Sequence, residues 1–221
     1  AQTAARLAHP HIVPIHDVGD GSGVVYFIMG LVEGESLGGR LKRRGKLPAD
    51  EVRRNMKETA DALSDAHAVS VTHSDINLAS GTPQYRSPEQ AAGEREIDGR
   101  SDLYSRGVVA YQMTSGVLPF NAPTVAGILM KQITEPAPIL HETMEGVPED
   151  LSLAIARCLE KDPENRWPTA DALRRALESR TVTGYRPTRT GVRAAARPST
   201  TGTRPRPSLE RQRGAGGVGV P

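Results

Sequence analysis

Cysteine is almost absent from this chain: Cys158 is the single one among 221 residues. No intramolecular disulfide framework can hold the fold, and a reducing compartment is the default setting. Aromatic residues are scarce as well, with one Trp, five Tyr and two Phe, which suits one folded domain plus a segment that does not fold. Long apolar runs are missing. The most apolar stretch, Val24 to Val32, is interrupted by Gly30 and ends at Glu33, well short of the roughly 18 residues that a membrane-spanning helix needs. No export signal is visible. Together these absences predict a cytoplasmic protein without a transmembrane segment.

Charge of either sign is also nearly absent in the sum, at +2 overall, but that balance conceals a division. Residues 181–221 carry eight Arg and one Glu, a net of +7, which leaves about −5 on residues 1–180. The basic part repeats Arg-Pro, Gly and Thr, as in Tyr185-Arg-Pro-Thr-Arg-Thr-Gly and Arg204-Pro-Arg-Pro. It offers almost no large apolar side chain, so burial cannot offset its ordering entropy, and a disordered tail is expected. Such an arm has the charge for weak contact with an anionic surface. With Tyr185 as its only aromatic it lacks stacking platforms, and a specific nucleic-acid partner is not expected.

Residues 1–180 divide by hydrophobic pattern. Val13–Val18 and Val24–Val32 are β-branched and aromatic-rich, and the turn formers between Asp17 and Gly23 join them into a hairpin. Everything after reads as helix. Pro48-Ala-Asp-Glu opens a long one in which Val52, Met56, Ala60, Leu63 and His67 share a face. Ser101-Asp102 opens a second in which Leu103, Val108, Val109, Ala110, Tyr111 and Met113 put apolar groups all round before Gly116 ends it, the pattern of a central helix. Further helices are expected at Val125–Ile133, Leu151–Leu159 and Ala170–Leu177. Cys158 lies on an apolar stripe and reads as a small buried hydrophobe rather than a reactive thiol. Arg40, Lys42, Arg43, Arg44 and Lys46 make a basic run after Ser36 that reads as a solvated helix face. His9, His11 and His16 lack the cysteines or close carboxylate pair that would complete a metal site.

Six phrases then fall in order: His9-Pro-His-Ile-Val, Met29-Gly-Leu-Val-Glu-Gly-Glu-Ser-Leu, His73-Ser-Asp, Gly81-Thr-Pro-Gln-Tyr-Arg-Ser-Pro-Glu-Gln, Ser101-Asp-Leu-Tyr-Ser-Arg-Gly and Lys161-Asp-Pro-Glu-Asn-Arg. In this order they resemble the bacterial eukaryotic-like Ser/Thr protein kinases, over about residues 3–178. The resemblance implies a mainly α fold, a kinase-like C-terminal lobe with a residual hinge hairpin. It implies three regions: 1–35 (end of helix C, two strands and hinge), 36–180 (helical lobe) and 181–221 (tail). By the same resemblance Met29 is the gatekeeper, and Gly30 and Val32 supply the hinge backbone groups for adenine. Asp75 is the catalytic-loop base, Thr82 belongs to the substrate-facing loop, Glu89 and Arg166 form a buried ion pair, and Asp102 braces the catalytic loop. The family's cofactors are ATP and Mg, and its partners are protein substrates.

The pattern is broken where catalysis needs it. Kinases work by positioning and electrostatics: a glycine loop over the phosphates, a strand lysine, a helix C glutamate, a catalytic-loop asparagine and an Asp-Phe-Gly aspartate on magnesium. No glycine loop, lysine or glutamate of that kind precedes Ala5-Arg6-Leu7, and Gly19, Gly21 and Gly23 sit in the expected hairpin turn. The catalytic loop runs His73-Ser-Asp-Ile-Asn-Leu-Ala-Ser, with Asn77 a metal ligand only if the gap is placed before it. Five residues separate Asp75 from Gly81, whereas two short strands and a turn need about a dozen. The Asp-Phe-Gly hairpin and the activation loop therefore do not fit. The two ends lie close in the family fold, and six peptide links reach about 20 Å, so the lobe can close over the gap with some apolar surface exposed. Three readings remain open on sequence alone: a pseudokinase remnant that binds a protein and needs no cofactor, an active ATP-dependent kinase whose missing parts are an artefact of the gene's reading, or a degraded product without function.

Overall fold

The computed structural model describes residues 7–21, 23–72 and 82–188. A two-stranded antiparallel hairpin, β1 (Ile15–Gly21) and β2 (Val24–Met29), precedes eight α-helices: α1 (Leu37–Arg44), α2 (Ala49–Ala68), α3 (Pro88–Ala92), α4 (Gly99–Ser115), α5 (Val125–Thr134), α6 (Leu140–Thr143), α7 (Glu149–Cys158) and α8 (Ala170–Ser179). The mainly helical architecture and each of the longer helices fall where the hydrophobic pattern puts them. Residues 7–14 carry no helix, so no end of a helix C is present there, and residues 1–6 lie outside the described residues.

The core forms around α4. Asp98 caps it by accepting the Arg100 N–H at 2.8 Å, and Gly116 closes it in the left-handed region at φ 83°. Leu103, Tyr104, Val108, Ala110 and Met113 are fully buried around its circumference, because α2, α7, α8 and the turn Pro83–Tyr85 pack on different sides of it. Gly107 sets the closest approach: a Cβ there would stand 2.6 Å from the Cβ of Cys158 on α7. Cys158 is completely buried, and burial pushes its thiol up to about 12, so it packs as a small hydrophobe.

One ion pair clamps the lobe. Arg166 gives two bonds of 2.7 Å to the Glu89 carboxylate and further bonds to the carbonyls of Glu160, Lys161 and Arg100. Four acceptor groups thus satisfy a guanidinium that is only 1% exposed, which is what makes so buried a charge tolerable. Burial alone would raise the Glu89 carboxyl. The Arg166 hydrogen bonds and charge outweigh it and hold it below the ordinary carboxylate value.

The hairpin differs from its sequence expectation in its limits. β1 begins at Ile15 rather than Val13 and runs on through Gly19 and Gly21, leaving a shorter turn, while β2 stops at Met29 rather than Val32. Gly19 can be strand because the Tyr26 ring of the facing strand lies over it, supplying the side-chain surface that glycine lacks. At the other end Pro14 accepts the Gly30 N–H at 3.1 Å, beyond which the chain leaves the ribbon.

Residues 181–188 were expected to belong to the tail, yet they lie against the lobe. Val182 packs on the core. Tyr185 donates its hydroxyl to Glu160 at 2.7 Å, and the same carboxylate oxygen accepts the Thr188 N–H at 2.9 Å. The Arg157 guanidinium sits over both the Trp167 and Tyr185 rings. One aromatic and one carboxylate hold a segment whose composition gives no sign of order. Residues 189–221 lie outside the described residues.

Candidate functional site

The residues singled out by sequence reach two described places. Met29 ends β2 about half exposed, Gly30 spends its N–H on Pro14, and Val32 is 71% exposed in the link to α1. These three form one short exposed stretch. Its basic neighbour, α1, begins at Ser36, whose hydroxyl accepts the Gly39 N–H at 3.1 Å. Arg43 there pairs with Glu35 and Arg40 with Glu51, both at 2.6 Å. Two of the five cations in that run are thus already neutralised.

The second place is a cavity of about 360 Å³ between α2, α4 and the segment from Thr82 to Gln90. Its walls follow from helical spacing. Thr59 and Leu63 on α2 face Asp102, Ser105, Arg106 and Val109 on α4, positions three and four apart and hence on one side of each helix. Thr82, Tyr85 and Arg86 close the remaining side. That third wall is firmly held. Ser105 Oγ donates to the Tyr85 carbonyl at 2.7 Å, and Tyr85 donates its hydroxyl to Gln112 at 2.9 Å. Gln132 accepts from Tyr104 at 2.5 Å and donates to the Gln84 carbonyl at 2.6 Å. Ser87 and Gln90 form a reciprocal capping box at the start of α3.

Asp102 is 8% exposed, and its carboxylate lies 2.8 Å from His67 Nε2. Asp75 and Asn77, the expected base and the conditional metal ligand, lie outside the described residues. Thr82 is therefore the one expected catalytic-loop neighbour that the structure places, on the wall of the cavity beside Asp102.

Sequence reading missed Arg106. It stands one turn after Asp102 on the central helix, donates to the Asn55 backbone and side-chain oxygens, and keeps a buried Nε with no partner. Burial pushes its guanidinium down to about 10, against the smaller opposing influence of Cys158 and the Glu58 carboxylate. A lone cation in an otherwise apolar stretch, Leu103 to Ala110, was the available signal. His67 was read as one of the apolar stripe of α2, and its carboxylate partner, 35 positions away, has no sequence signature. Carboxylates Asp61 and Asp65 of α2 do approach His9, at 3.4 and 4.0 Å, and tie the His9-Pro-His segment to the lobe. Spacing along the chain could not show that approach.

Comparisons with known proteins give the class. A family model described as the protein kinase domain matches residues 1–79 and 77–177. The chain belongs to that family, and within it to the bacterial eukaryotic-like Ser/Thr kinases. It is 33% identical to a probable serine/threonine-protein kinase of Clostridium acetobutylicum, with 78% of this chain covering 31% of that protein. It is 32% identical to the serine/threonine-protein kinase PksC of Streptomyces coelicolor (79% and 39%) and 28% identical to PknB of Mycobacterium leprae (80% and 34%). The chain thus spans about a third of the length of the curated relatives it matches. Each of these alignments also runs longer than this chain's own contribution. The 205 positions of the first draw on 78% of 221 residues, so about thirty positions of the relative have no counterpart here.

ATP and Mg are the cofactors that the family implies. Among the described residues the donor set does not fit them: Asp102 is the carboxylate lining the cavity, it is engaged by His67, and the other charged groups there are Arg86 and Arg106. Mg asks for an octahedron of oxygens, with one or two carboxylates among them. Among the described residues no helix is long and apolar enough to cross a membrane.

Proposed function

We propose that this chain is a catalytically impaired member of the kinase family, whose helical lobe acts by binding a protein rather than by transferring phosphate. The observation that carries this reading is the five-residue interval between Asp75 and Gly81. The two segments matched to the family meet at residues 77–79, and the relatives' alignments hold about thirty extra positions. These support a gap at the place where the metal-holding hairpin and activation loop belong. A positioned base contributes about 10²- to 10⁴-fold, roughly 3–5 kcal/mol, against the 8–23 kcal/mol by which enzymes lower barriers. Asp75 alone does not cover that difference, even with Thr82 in place.

In this reading Met29, Gly30 and Val32 keep the hinge's position without its nucleotide, Asn77 holds no metal, and the setting is cytoplasmic, as the single cysteine suggests. The partner is a protein. The reading is tested by incubating the full chain with ATP, Mg and a generic Ser/Thr substrate. No transfer above that of an Asp75→Asn variant is expected, and Asp75-dependent transfer overturns it. A second reading, a working kinase with a misread gene, is favoured by the intact Thr82–Tyr85 wall and Glu89–Arg166 clamp. Coding DNA across Ser80-Gly81 that contains an in-frame Asp-Phe-Gly would establish it.

A further inference from the structure

We infer that the groove filled by residues 182–188 is a peptide-docking site, held in this chain by its own strap, and that it takes from a partner protein an extended segment of the pattern Tyr-x-Pro-x. The strap is attached differently from the segments of the core. Among the described residues no backbone–backbone hydrogen bond involves residues 182–188. Val182 packs on the core. Beyond it, strap and lobe leave a cavity of about 310 Å³ between them, lined by Pro136, Ala137, Ile139 and Leu159 on one side and by Tyr185 and Pro187 on the other. A segment interdigitated with a core leaves no such space, so the strap lies on the lobe as a bound peptide lies on its receptor.

Recognition centres on Glu160, which is 7% exposed. Among the described residues the hydrogen bonds that its side chain accepts both come from the strap, from the Tyr185 hydroxyl at 2.7 Å and the Thr188 N–H at 2.9 Å. The cations in reach are turned elsewhere: Lys161 donates to the Tyr104 hydroxyl and the Gln132 carbonyl, and Arg157 lies over the Trp167 and Tyr185 rings. When the strap leaves, a buried carboxylate loses both donors, which is costly. A second segment with the same two donors restores them, and its ring takes the place of Tyr185 beneath Arg157. Exposure along the strap sets the pattern. Tyr185 and Pro187 are partly buried while Arg186 and Thr188 are exposed, so the second and fourth positions are free in side chain, and the fourth only has to keep its N–H. Proline at the third holds the segment extended and lowers the cost of ordering it. Tyr185 is the only aromatic residue from 181 to 221, so no other stretch of the basic tail can take its place. The inference goes beyond the loss of phosphate transfer, since it uses neither Asp75 nor the cavity beside Asp102.

The test uses the full chain and an amidated heptapeptide of residues 182–188 labelled at its N-terminus, with binding followed by fluorescence anisotropy. Tyr185→Ala, which vacates the groove, should bind the peptide saturably and at least tenfold tighter than the unaltered chain does, because the tethered strap competes at a high effective concentration. A peptide carrying Tyr185→Phe lacks the hydroxyl that meets Glu160 and should bind the Tyr185→Ala chain at least tenfold weaker. In the unaltered chain, excess unlabelled peptide should speed hydrogen exchange at the Thr188 amide by displacing the strap. No saturable binding by Tyr185→Ala, equal binding of the Phe peptide, or Thr188 exchange indifferent to the peptide would each overturn the assignment. So would a mass that doubles with concentration and falls back in Tyr185→Ala, which would mean that straps are exchanged between copies. If Tyr185→Ala does not fold, the exchange measurement on the unaltered chain decides it alone.

Discussion

The helical lobe and the hairpin use similar apolar residues to opposite ends. In the lobe, Leu103, Tyr104, Val108 and Met113 lose all contact with water, and Arg166, buried with them, is met by four acceptor groups. In the hairpin every residue of β2, from Val24 to Met29, stays exposed, between 46% and 63%. A two-stranded ribbon on its own is marginal in water, and this one is tied down at its base, by Gly30 to Pro14 and by His9 to Asp61. The difference teaches that the described helices of the lobe bury their apolar faces against one another, whereas the hairpin leaves its apolar side chains uncovered.

If the lobe carries the stability, its internal clamp should be the costliest thing to remove. Glu89→Ala is expected to destabilise the folded lobe by about 3–5 kcal/mol in a urea titration, since it leaves Arg166 buried and unpaired. An unchanged midpoint would place the pair at the surface. The pair also predicts a sign for pH: the depressed Glu89 value means its contribution is present above the ordinary carboxylate range and fades as pH falls through the folded value.

Gly107→Ala follows in size. The added methyl meets Cys158 at 2.6 Å, and α4 and α7 must separate, a cost of about 1–3 kcal/mol. Gly107→Ala with Cys158→Ala should recover part of it, and no recovery would show that the two helices are not in register at that point.

A pH effect is expected at Lys161, whose ammonium reaches the Tyr104 hydroxyl and the Gln132 carbonyl and stands over the Phe120 ring. Burial, with the Arg166 guanidinium adding to it, pushes this lysine down to about 7. Between there and the ordinary lysine value the unfolded chain binds the extra proton, so stability rises with pH across that window. Lys161→Met should flatten that rise in a melting series, and an identical slope in the variant would contradict the assignment. The smallest effect belongs to the other side of the comparison. Phe27→Ala on β2 should shift lobe unfolding by no more than about 0.5 kcal/mol, and a loss of several times that would mean the hairpin is integral to the lobe.

Sequence made the lobe legible because helical periodicity and caps are local. The all-round apolar pattern from Leu103 to Met113 placed α4 at the centre, and Pro48 and Gly116 marked ends that the structure keeps to within a residue or two. The Glu89–Arg166 clamp was reached through family resemblance, not through spacing. What stayed hidden was set by distant partners. Tyr185 and Thr188 converge on Glu160, Asp61 approaches His9, and Arg106 faces Asn55 across two helices. None of these pairs has a local signature. The strand limits were missed because Gly19 reads as a turn former until Tyr26 is known to cover it.

The proposal that the short interval between Asp75 and Gly81 leaves no room for the metal-holding hairpin is tested most directly by titrating the full chain with ATP in the presence and absence of Mg by calorimetry. The account predicts no saturable heat and no difference between the two conditions. Saturable, magnesium-dependent binding that disappears in Asp75→Asn would contradict it.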